Sequence, residues 1–187
     1  MSDEATEFNI NLVIEDGTGL TTSNSYVSLS YADQYAINRN YSGWVTQSDY
    51  VKSAAIIKAM DYVDNIFNWK GTRLYKNQSL NFPRKNIVDD DGFDYSGEIP
   101  ERLKKAVCEA AFLVYSQYTL YASKDPNGAI KKDRKKADVV ETEKEYFSSD
   151  EVEIDYTSAY EALDTLLKGL FHQKGDVCIN KRVKWEQ

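Results

Sequence analysis

The sequence predicts a mainly α-helical fold: a small bundle of about four helices with a β-hairpin insertion and extended N- and C-terminal arms. Two patterns lead to this prediction. Apolar residues recur at helical spacing in several long stretches, whereas one later stretch alternates apolar with acidic residues, as strands do. A length of 187 residues suits one domain with appendages. We therefore expect a single helical domain over residues 1–175 and a C-terminal tail over residues 176–187.

The N-terminal residues 1–22 are expected to form an arm, and the first helix follows it. A strand-like run, in which Ile10, Leu12 and Ile14 alternate with Asn9, Asn11 and Val13, favours a short strand. The helix is expected to begin near Ser28 to Ser30 and to end at about Asn38, with Ser30 and Asp33 as a capping box. Gly43 is then expected to break the helical pattern. The residues expected on the buried side of this helix are Ala32, Tyr35 and Ala36.

The second helix has the most regular pattern in the chain. Polar residues from Thr46 to Asp49 supply its caps and a first-turn acid, and the helix is expected to reach about Asn68. Trp69, directly after it, is predicted to be a core residue. One side is apolar, with Ile56, Ala59, Met60, Val63, Ile66 and Phe67, and the other is polar, with Lys58, Asp61, Asp64, Asn65 and Asn68.

The stretch from Leu80 to Pro100 separates the second and third helices. Asp89-Asp90-Asp91-Gly92 resembles a calcium loop, but Ile87 would then occupy the first ligand position, so we expect a solvated acidic turn. A long ordered loop inside a domain usually has a function. Its apolar residues are expected to fold over the helix pair or to contact a neighbouring subunit, and they are Phe82, Ile87, Val88, Phe93, Tyr95 and Ile99.

The third helix is expected to start at Pro100, where a proline lacks no needed N–H, and to continue to Tyr121. Glu101 and Lys105 have the spacing of an i, i+4 ion pair on its exposed side. A β-hairpin is expected at about residues 137–156, with its turn at residues 148–150.

The last helix is expected from about Ser158, with Ser158 and Glu161 as a capping box. Its apolar stripe consists of Tyr160, Leu163, Leu167 and Leu170. The tail that follows Gly175 is too short to fold alone, so its apolar residues need a partner. Trp185 is the strongest candidate for an interface anchor, and the other apolar residues of the tail are Val177, Ile179 and Val183.

No pattern in the chain is typical of an enzyme. His172 is the only histidine, and its place near the end of a helix suits a contact with the last carbonyls. Cys108 is expected to pack as a small apolar residue. The chain has no Gly-rich phosphate loop and no nucleophile or zinc motif. We expect no catalytic, cofactor or metal site.

Charge and hydropathy limit the partners. The net charge is −7, which repels polyanions at long range. No apolar run approaches the length of a membrane span, and the two cysteines suit a reducing compartment, so we expect a cytosolic protein without a membrane partner. One basic run could contact phosphates, although a solvated loop is the favoured interpretation; it contains Lys131, Lys132, Arg134, Lys135 and Lys136.

Four blocks, read together, resemble a family of tailed-phage proteins labelled DnaT-like single-stranded-DNA-binding, which are similar to head-to-tail connector adaptors. The resemblance covers roughly the first two-thirds of the chain. One departure is Phe82-Pro83-Arg84, where the family usually has Trp-Pro-Arg. The blocks are Glu15–Leu20 with Asn24–Ser28, Ala32-Asp33 with Tyr35, Leu80–Arg84, and Asp91-Gly92 with Glu98–Pro100.

This resemblance implies a virion structural protein of the bacteriophage neck, assembled in the host cytoplasm. It implies a ring of copies, dodecameric in this family, that binds the portal protein and offers a docking surface for tail, stopper or tail-terminator proteins. Genomic double-stranded DNA would pass through the ring without specific binding. We expect partner contacts from Phe82 and Arg84 and from the tail residues Val177, Ile179, Val183 and Trp185.

Two alternatives remain. The family label itself suggests a primosomal, DnaT-like replication protein that binds single-stranded DNA. Such a protein needs a basic groove with stacking aromatic residues, and the net charge of −7 counts against it. The other alternative is a small scaffolding or tail-completion protein of the same virus.

Overall fold

The structure, a computed structural model, describes residues 9–116, 118, 120 and 161–172, together with the backbone of residues 130–135 and 142–146. Within these residues the chain forms five α-helices and two small antiparallel sheets, which confirms the mainly α prediction. The chain divides into two compact units, one of residues 1–120 and 156–187 and the other of residues 121–155.

All five helices belong to the first unit, and α3 packs against α4, which in turn packs against α5. The helices are α1 (Leu29–Asn38), α2 (Ser42–Val45), α3 (Asp49–Ile66), α4 (Glu101–Tyr115) and α5 (Glu161–Leu167). The strands are β1 (Thr72–Arg73) and β2 (Arg84–Lys85) in the first unit, and β3 (Ile130–Lys135) and β4 (Thr142–Tyr146) in the second.

Helix α1 begins where a serine can cap it. The side chain of Ser28 accepts a hydrogen bond from the N–H of Tyr31 at 3.1 Å, so the cap is Ser28, and the predicted capping box of Ser30 and Asp33 is wrong. Asp33 instead accepts hydrogen bonds from Trp44 Nε1 at 2.8 Å and from Lys52 Nζ at 3.1 Å. The predicted buried residues of α1 are confirmed, namely Ala32, Tyr35 and Ala36.

Helix α2 was not predicted, because it is a single turn and contains Gly43, which we expected to end the pattern. It places Trp44 in the core, where the Trp44 ring meets Phe112 at 4.7 Å between centroids.

Helix α3 confirms its prediction closely, since Ser48 caps it and it ends at Ile66. Its predicted apolar residues are buried or pack against the core, but Asp64, predicted to be exposed, is buried.

Helix α4 is shorter than predicted. Pro100 is its N-cap residue and the helix ends at Tyr115, whereas Tyr118, which we expected on the apolar stripe, is 60 % exposed. The predicted ion pair of Glu101 with Lys105 is replaced by one with Lys104 at 4.0 Å.

The second unit contains a β-hairpin, and the part of the predicted hairpin after residue 146 lies outside the described residues. Strand β3 pairs with β4 with Ile130 opposite Tyr146 and Lys135 opposite Thr142, so the pairing starts earlier than residue 137, and the basic run contributes a strand and not a loop. The predicted turn at residues 148–150 lies outside the described residues.

Helix α5 covers the end of the core formed by α3 and α4. Leu163, Leu167 and Leu170 are fully buried, as predicted, while Ser158 and Tyr160 lie outside the described residues. After α5 the chain runs alongside the end of α3: the N–H of Lys70 donates to the carbonyl of Leu170 at 2.9 Å, and the N–H of His172 donates to the carbonyl of Asn68 at 2.8 Å.

Candidate functional site

The loop from Leu80 to Pro100 inserts a phenylalanine into the core. Phe82 is 0 % exposed, and its ring lies edge-on to Trp69 at 5.1 Å and to Tyr26 at 6.3 Å between centroids. Ile87 is also fully buried, while Val88 and Phe93 are exposed. The expectation that this loop folds back over the helices is therefore confirmed for Phe82 and Ile87.

A buried carboxylate on α3 holds the start of this loop. Asp64 accepts hydrogen bonds from the hydroxyl of Tyr26 at 2.5 Å and from the N–H of Asn81 at 3.0 Å, and the Tyr26 hydroxyl in turn accepts one from the N–H of Phe82 at 2.9 Å. Burial raises the pKa of Asp64 above its ordinary value. Periodicity could not predict this role, since an acid on the polar side of a helix pattern usually faces water.

A second buried carboxylate organises the turn at residues 15–20. Glu15 is 2 % exposed, and it accepts hydrogen bonds from the N–H groups of Gly19 at 2.8 Å and Leu20 at 2.9 Å, and from the Ser23 hydroxyl at 2.8 Å. Ser23 also contacts the Ser79 hydroxyl at 2.8 Å. This part of the predicted N-terminal arm is thus a packed turn, tied to the residues just before Leu80.

Arg84 is buried and is committed to backbone carbonyls. Its guanidinium donates to the carbonyl of Lys70 at 2.7 Å and of Gly71 at 2.9 Å, and to that of Trp69 at 3.4 Å. Burial lowers the pKa of Arg84, and the neighbouring Arg73 lowers it further. Arg84 therefore fastens the strand β2 to the segment that follows α3.

The acidic turn at residues 89–92 is a structural turn. The Asp89 carboxylate accepts hydrogen bonds from the N–H groups of Asp91 at 3.1 Å and Phe93 at 2.9 Å, and from Arg102 Nη2 at 2.5 Å. Burial acts to raise the pKa of Asp89, but the hydrogen bonds from Phe93, Arg102 and Asp91 together lower it below its ordinary value. Among the described residues, no three acidic, histidine or cysteine side chains are grouped as metal ligands.

Because the pKa of Asp89 is lower in the folded chain than its ordinary value of 3.8, this group stabilises the fold above pH 3.8. That contribution is lost as the pH falls through the folded pKa. We expect Asp89→Asn to lower the melting temperature at neutral pH and the gap from the wild type to shrink below about pH 4. Thermal unfolding followed by circular dichroism between neutral and acid pH measures this; a gap that widens in acid would contradict it.

The strands β1 and β2 form a short two-stranded ribbon, and β2 is part of the loop from Leu80 to Pro100. Thr72 lies opposite Lys85, and Arg73 lies opposite Arg84. The two segments come unusually close at Gly71, where an added Cβ atom would lie 2.3 Å from the carbonyl oxygen of Lys85. The positive φ of Gly71, +71°, also disfavours any other residue. The geometry of the ribbon therefore depends on Gly71 as well as on Arg84.

Gly71→Ala is expected to destabilise the fold more than Gly92→Ala does. Gly92 has a similar positive φ, +88°, but no atom lies within 4 Å of its added Cβ, so this control carries only the backbone strain of about 1–2 kcal/mol. The clash at Gly71 adds about 1–3 kcal/mol. Urea unfolding of both variants measures the difference, and equal losses would show that the close approach is not a constraint.

The strands β1 and β2 lie in a part of the chain that contains cations but no acid. From Asn65 to Val88 the sequence contains five cationic residues and no acid, in a chain of net charge −7. We call these five residues the basic ribbon: Lys70, Arg73, Lys76, Arg84 and Lys85. Arg84 is buried, and Lys70 pairs with Asp90 at 2.8 Å, which leaves Arg73, Lys76 and Lys85 exposed.

One exposed aromatic residue accompanies these three cations. Tyr75 is 55 % exposed, and its ring lies so close to Gly19 that a Cβ atom there would be 2.6 Å from Tyr75 Cδ2. The sequence could have revealed this surface through its lack of acids over residues 65–88. A search for basic runs does not find these residues, because the five cations are spread over sixteen positions, from Lys70 to Lys85.

The residues predicted to bind partners or DNA fall into three groups: two are internal, four lie on β3, and the others lie outside the described residues. Phe82 and Arg84 make the internal contacts described above, so in this chain both are occupied in holding the loop. The tail residues Val177, Ile179, Val183 and Trp185 lie outside the described residues. The basic run Lys131, Lys132, Arg134 and Lys135 lies on β3, with Lys136 beyond the described strand. Their predicted roles in binding stay predictions.

Cys108 is fully buried on α4, as predicted, and burial raises the pKa of its thiol to about 12. It is therefore a protonated core residue at neutral pH, where the thiolate that would act as a nucleophile is rare.

Five of the nine large apolar residues that are exposed in the described part of the chain lie between the last turn of α1 and the first turn of α3. We call this group the apolar corner; its members are between 37 % and 57 % exposed and are Ile37, Tyr41, Val45, Tyr50 and Val51. Exposed apolar side chains such as these become candidates for a protein interface where they form a continuous patch. In the described part of the chain, no helix is both long and apolar enough to cross a membrane.

Comparison with known protein families identifies the family of this chain. Residues 10–184 match the family described as "Putative DnaT-like ssDNA binding protein", so the match extends into the tail, beyond the two-thirds of the chain that the sequence blocks covered. No curated protein and no solved structure matches the chain significantly. Because the family match covers nearly the entire chain, this protein belongs to the DnaT-like single-stranded-DNA-binding family.

Proposed function

We propose that this protein binds single-stranded DNA and that it does so without catalysing a reaction. The observation that carries the proposal is the family match over residues 10–184, whose description names single-stranded DNA binding. The basic ribbon supports it, because non-specific binding of single strands combines cations for the phosphates with an aromatic residue for the bases. Exposed Arg73, Lys76 and Lys85 beside Tyr75 supply both.

The net charge of −7 is a weaker objection than the sequence suggested. Charges on a protein surface are screened over about 10 Å at 0.1 M salt, so a bound strand interacts mainly with the charges next to it. The charged residues within the stretch 65–88 are all positive, and of the acids outside it Asp90 already pairs with Lys70. The remote acids slow the approach of DNA at low ionic strength, but they do not remove the local attraction.

A titration of a fluorescently labelled oligothymidine with the protein, followed by anisotropy, tests this proposal. We expect saturable binding in low salt that weakens as salt rises, since bound phosphates release counterions. A duplex of equal length serves as the comparison. No binding to the single strand at low salt, at protein concentrations up to about 100 μM, would contradict single-stranded DNA binding, because non-specific binding generally falls within this range.

A second candidate function is that of a head-to-tail connector adaptor in a phage virion. The resemblance of the four sequence blocks supports it, and so does the apolar corner, since a ring subunit needs apolar surface for its neighbours. An acidic subunit would also let genomic double-stranded DNA pass without gripping it. In this role the protein would join the portal ring in the neck, with tail, stopper or tail-terminator proteins docking on it.

Assembly with a portal tests the connector role. We expect the full chain to join purified portal rings, visible by electron microscopy, and a chain cut after Gly175 to remain folded but fail to join, because the apolar tail residues need a partner surface. Ile37→Ser with Val45→Ser, in the apolar corner, is a second variant expected to weaken ring formation. Normal incorporation of both variants, or no assembly of the full chain with any portal from the same phage, would contradict the adaptor proposal.

A further inference from the structure

We propose that single-stranded DNA binds across the basic ribbon, with Arg73, Lys76 and Lys85 contacting phosphates and Tyr75 stacking on a base. Arg73 and Lys85 lie on opposite faces of the strand pair, so the DNA strand contacts both faces. This inference rests on the proposed binding of single-stranded DNA and assigns residues to it. The ligand is recognised by its phosphodiester backbone and by a base whose face is accessible for stacking.

The three cations are available to a ligand. Lys70 is held by Asp90 and Arg84 by backbone carbonyls, but no ion pair among the described residues involves Arg73, Lys76 or Lys85. Arg73 uses its Nε to donate to Asn81 Oδ1 at 3.2 Å, which fixes the plane of the guanidinium while its terminal nitrogens make no described hydrogen bond. Phosphates contribute most of the affinity in non-specific DNA binding.

Tyr75 is held in position while much of its side chain stays exposed. Its ring packs against Gly19, its backbone N–H donates to Gln78 Oε1 at 2.9 Å, and its exposed fraction is 55 %. Gln78 is itself buried and donates to the carbonyls of Leu80 and Pro83. A fixed aromatic ring stacks on a base with little loss of conformational entropy, and such stacking tolerates any base.

Hydrogen bonds and close packing hold the strands β1 and β2 together. Arg84 bonds carbonyls on the facing segment, and Gly71 lets the two segments approach closely. Several acids close to these residues in the chain have described partners: Asp90 pairs with Lys70, Asp64 is buried among donors, and Asp16 accepts from the N–H and hydroxyl of Thr18. A preorganised cationic surface of this kind requires little reordering when DNA binds.

Charge neutralisation tests the phosphate contacts. The test variant is R73Q/K76Q/K85Q, and the matched control is K131Q/K132Q/K135Q, which removes the same charge from the basic run on β3. With three phosphates contacted, the logarithm of the binding constant for oligothymidine should fall with the logarithm of salt at a slope of about −2. The ribbon variant should lose most of that slope and bind at least about tenfold more weakly in low salt, whereas the control should keep both within about twofold.

Tyr75→Ala tests the stacking contact. It should weaken binding about fivefold or more without changing the salt slope, while Tyr75→Phe should bind like the wild type because it keeps the ring. Tyr118→Ala, at another exposed tyrosine, should have no effect. Circular dichroism melting confirms that each variant is folded.

Each contrary result has a distinct meaning. Oligothymidine binding that survives in the ribbon variant but disappears in the β3 control would overturn this inference and leave single-stranded DNA binding intact. No binding by the wild type would overturn both. Tighter binding of the duplex than of the single strand, with Tyr75→Ala unchanged, would overturn the stacking role and agree with a channel contact of the connector adaptor.

Discussion

Replacing Phe82 by alanine is expected to lower the free energy of unfolding by about 3–5 kcal/mol, the usual cost of removing a fully buried aromatic ring. Phe82 is 0 % exposed and lies between the rings of Trp69 and Tyr26. Its loss leaves a cavity where the loop meets α3, and the surrounding side chains can fill only part of it. Chemical denaturation followed by circular dichroism and tryptophan fluorescence gives the free energy directly.

Phe93→Ala is the matched control for this prediction, because it removes the same ring from the same loop. Phe93 is 66 % exposed, so its loss should change the free energy of unfolding by no more than about 0.5 kcal/mol. If the two variants lost equal stability, the burial of Phe82 would not be what anchors the loop. A stable Phe82→Ala variant that failed only in subunit assembly would instead support the partner role predicted from the sequence.

Replacing Glu15 by alanine is expected to cost about 2–4 kcal/mol, because several N–H groups and a hydroxyl lose one ionised acceptor together. The carboxylate is nearly completely buried, and it accepts from Gly17 and Gly19 on one oxygen and from Leu20 and Ser23 on the other. Ser23 is buried as well, so its hydroxyl also loses this acceptor in a part of the fold that is shielded from solvent. Differential scanning calorimetry measures the loss of stability.

Two substitutions frame the Glu15 result. Glu15→Gln keeps one carbonyl acceptor and should lose less stability than Glu15→Ala. Asp16→Ala removes the next acid along the chain, which is exposed and bonds only to Thr18, and it should cost less than about 1 kcal/mol. If Asp16→Ala proved as damaging as Glu15→Ala, net charge and not the buried hydrogen bonds would explain the loss.

The turn at residues 15–20 also holds Gly19 against Tyr75. Glu15→Ala should therefore also weaken the proposed binding of single-stranded DNA.

The helices could be predicted because their signals are local. Ser48 caps α3 and its apolar residues repeat every three to four positions, so the start and end of this helix were predicted to within a few residues. The buried leucines of α5 followed from the same spacing. Helix α2 could not be found in this way, since a single turn is too short to show a period.

The polar centre of the fold could not be predicted, because its contacts join residues that are far apart in the sequence. Asp64 bonds Tyr26 and Asn81, and nothing near Asp64 in the chain distinguishes it from the exposed Asp61. The family block at residues 15–20 was recognised as a pattern, yet only the structure shows why its residues occur together: they surround the Glu15 carboxylate.

The net charge gave no indication of the basic ribbon. A value of −7 averages over the entire chain, and it concealed an acid-free stretch of 24 residues, from Asn65 to Val88. The strands β1 and β2 contain only two residues each, too few for any sequence pattern to identify the ribbon that holds these cations. The proposed contact with DNA depends on which charged residues lie close together on the surface, and only the structure shows the pairing of β1 with β2 that determines this.

Photochemical crosslinking tests the central claim, that this protein binds single-stranded DNA through the basic ribbon, most directly. The full-length protein is irradiated with a bromodeoxyuridine oligonucleotide at low salt, and the crosslinked peptides are identified by mass spectrometry. We expect the crosslinks to fall between Thr72 and Lys85, chiefly on Tyr75, and to disappear when unlabelled oligothymidine competes. Crosslinks confined to residues 130–136 or to the tail after Gly175, or none that the competitor removes, would contradict the claim.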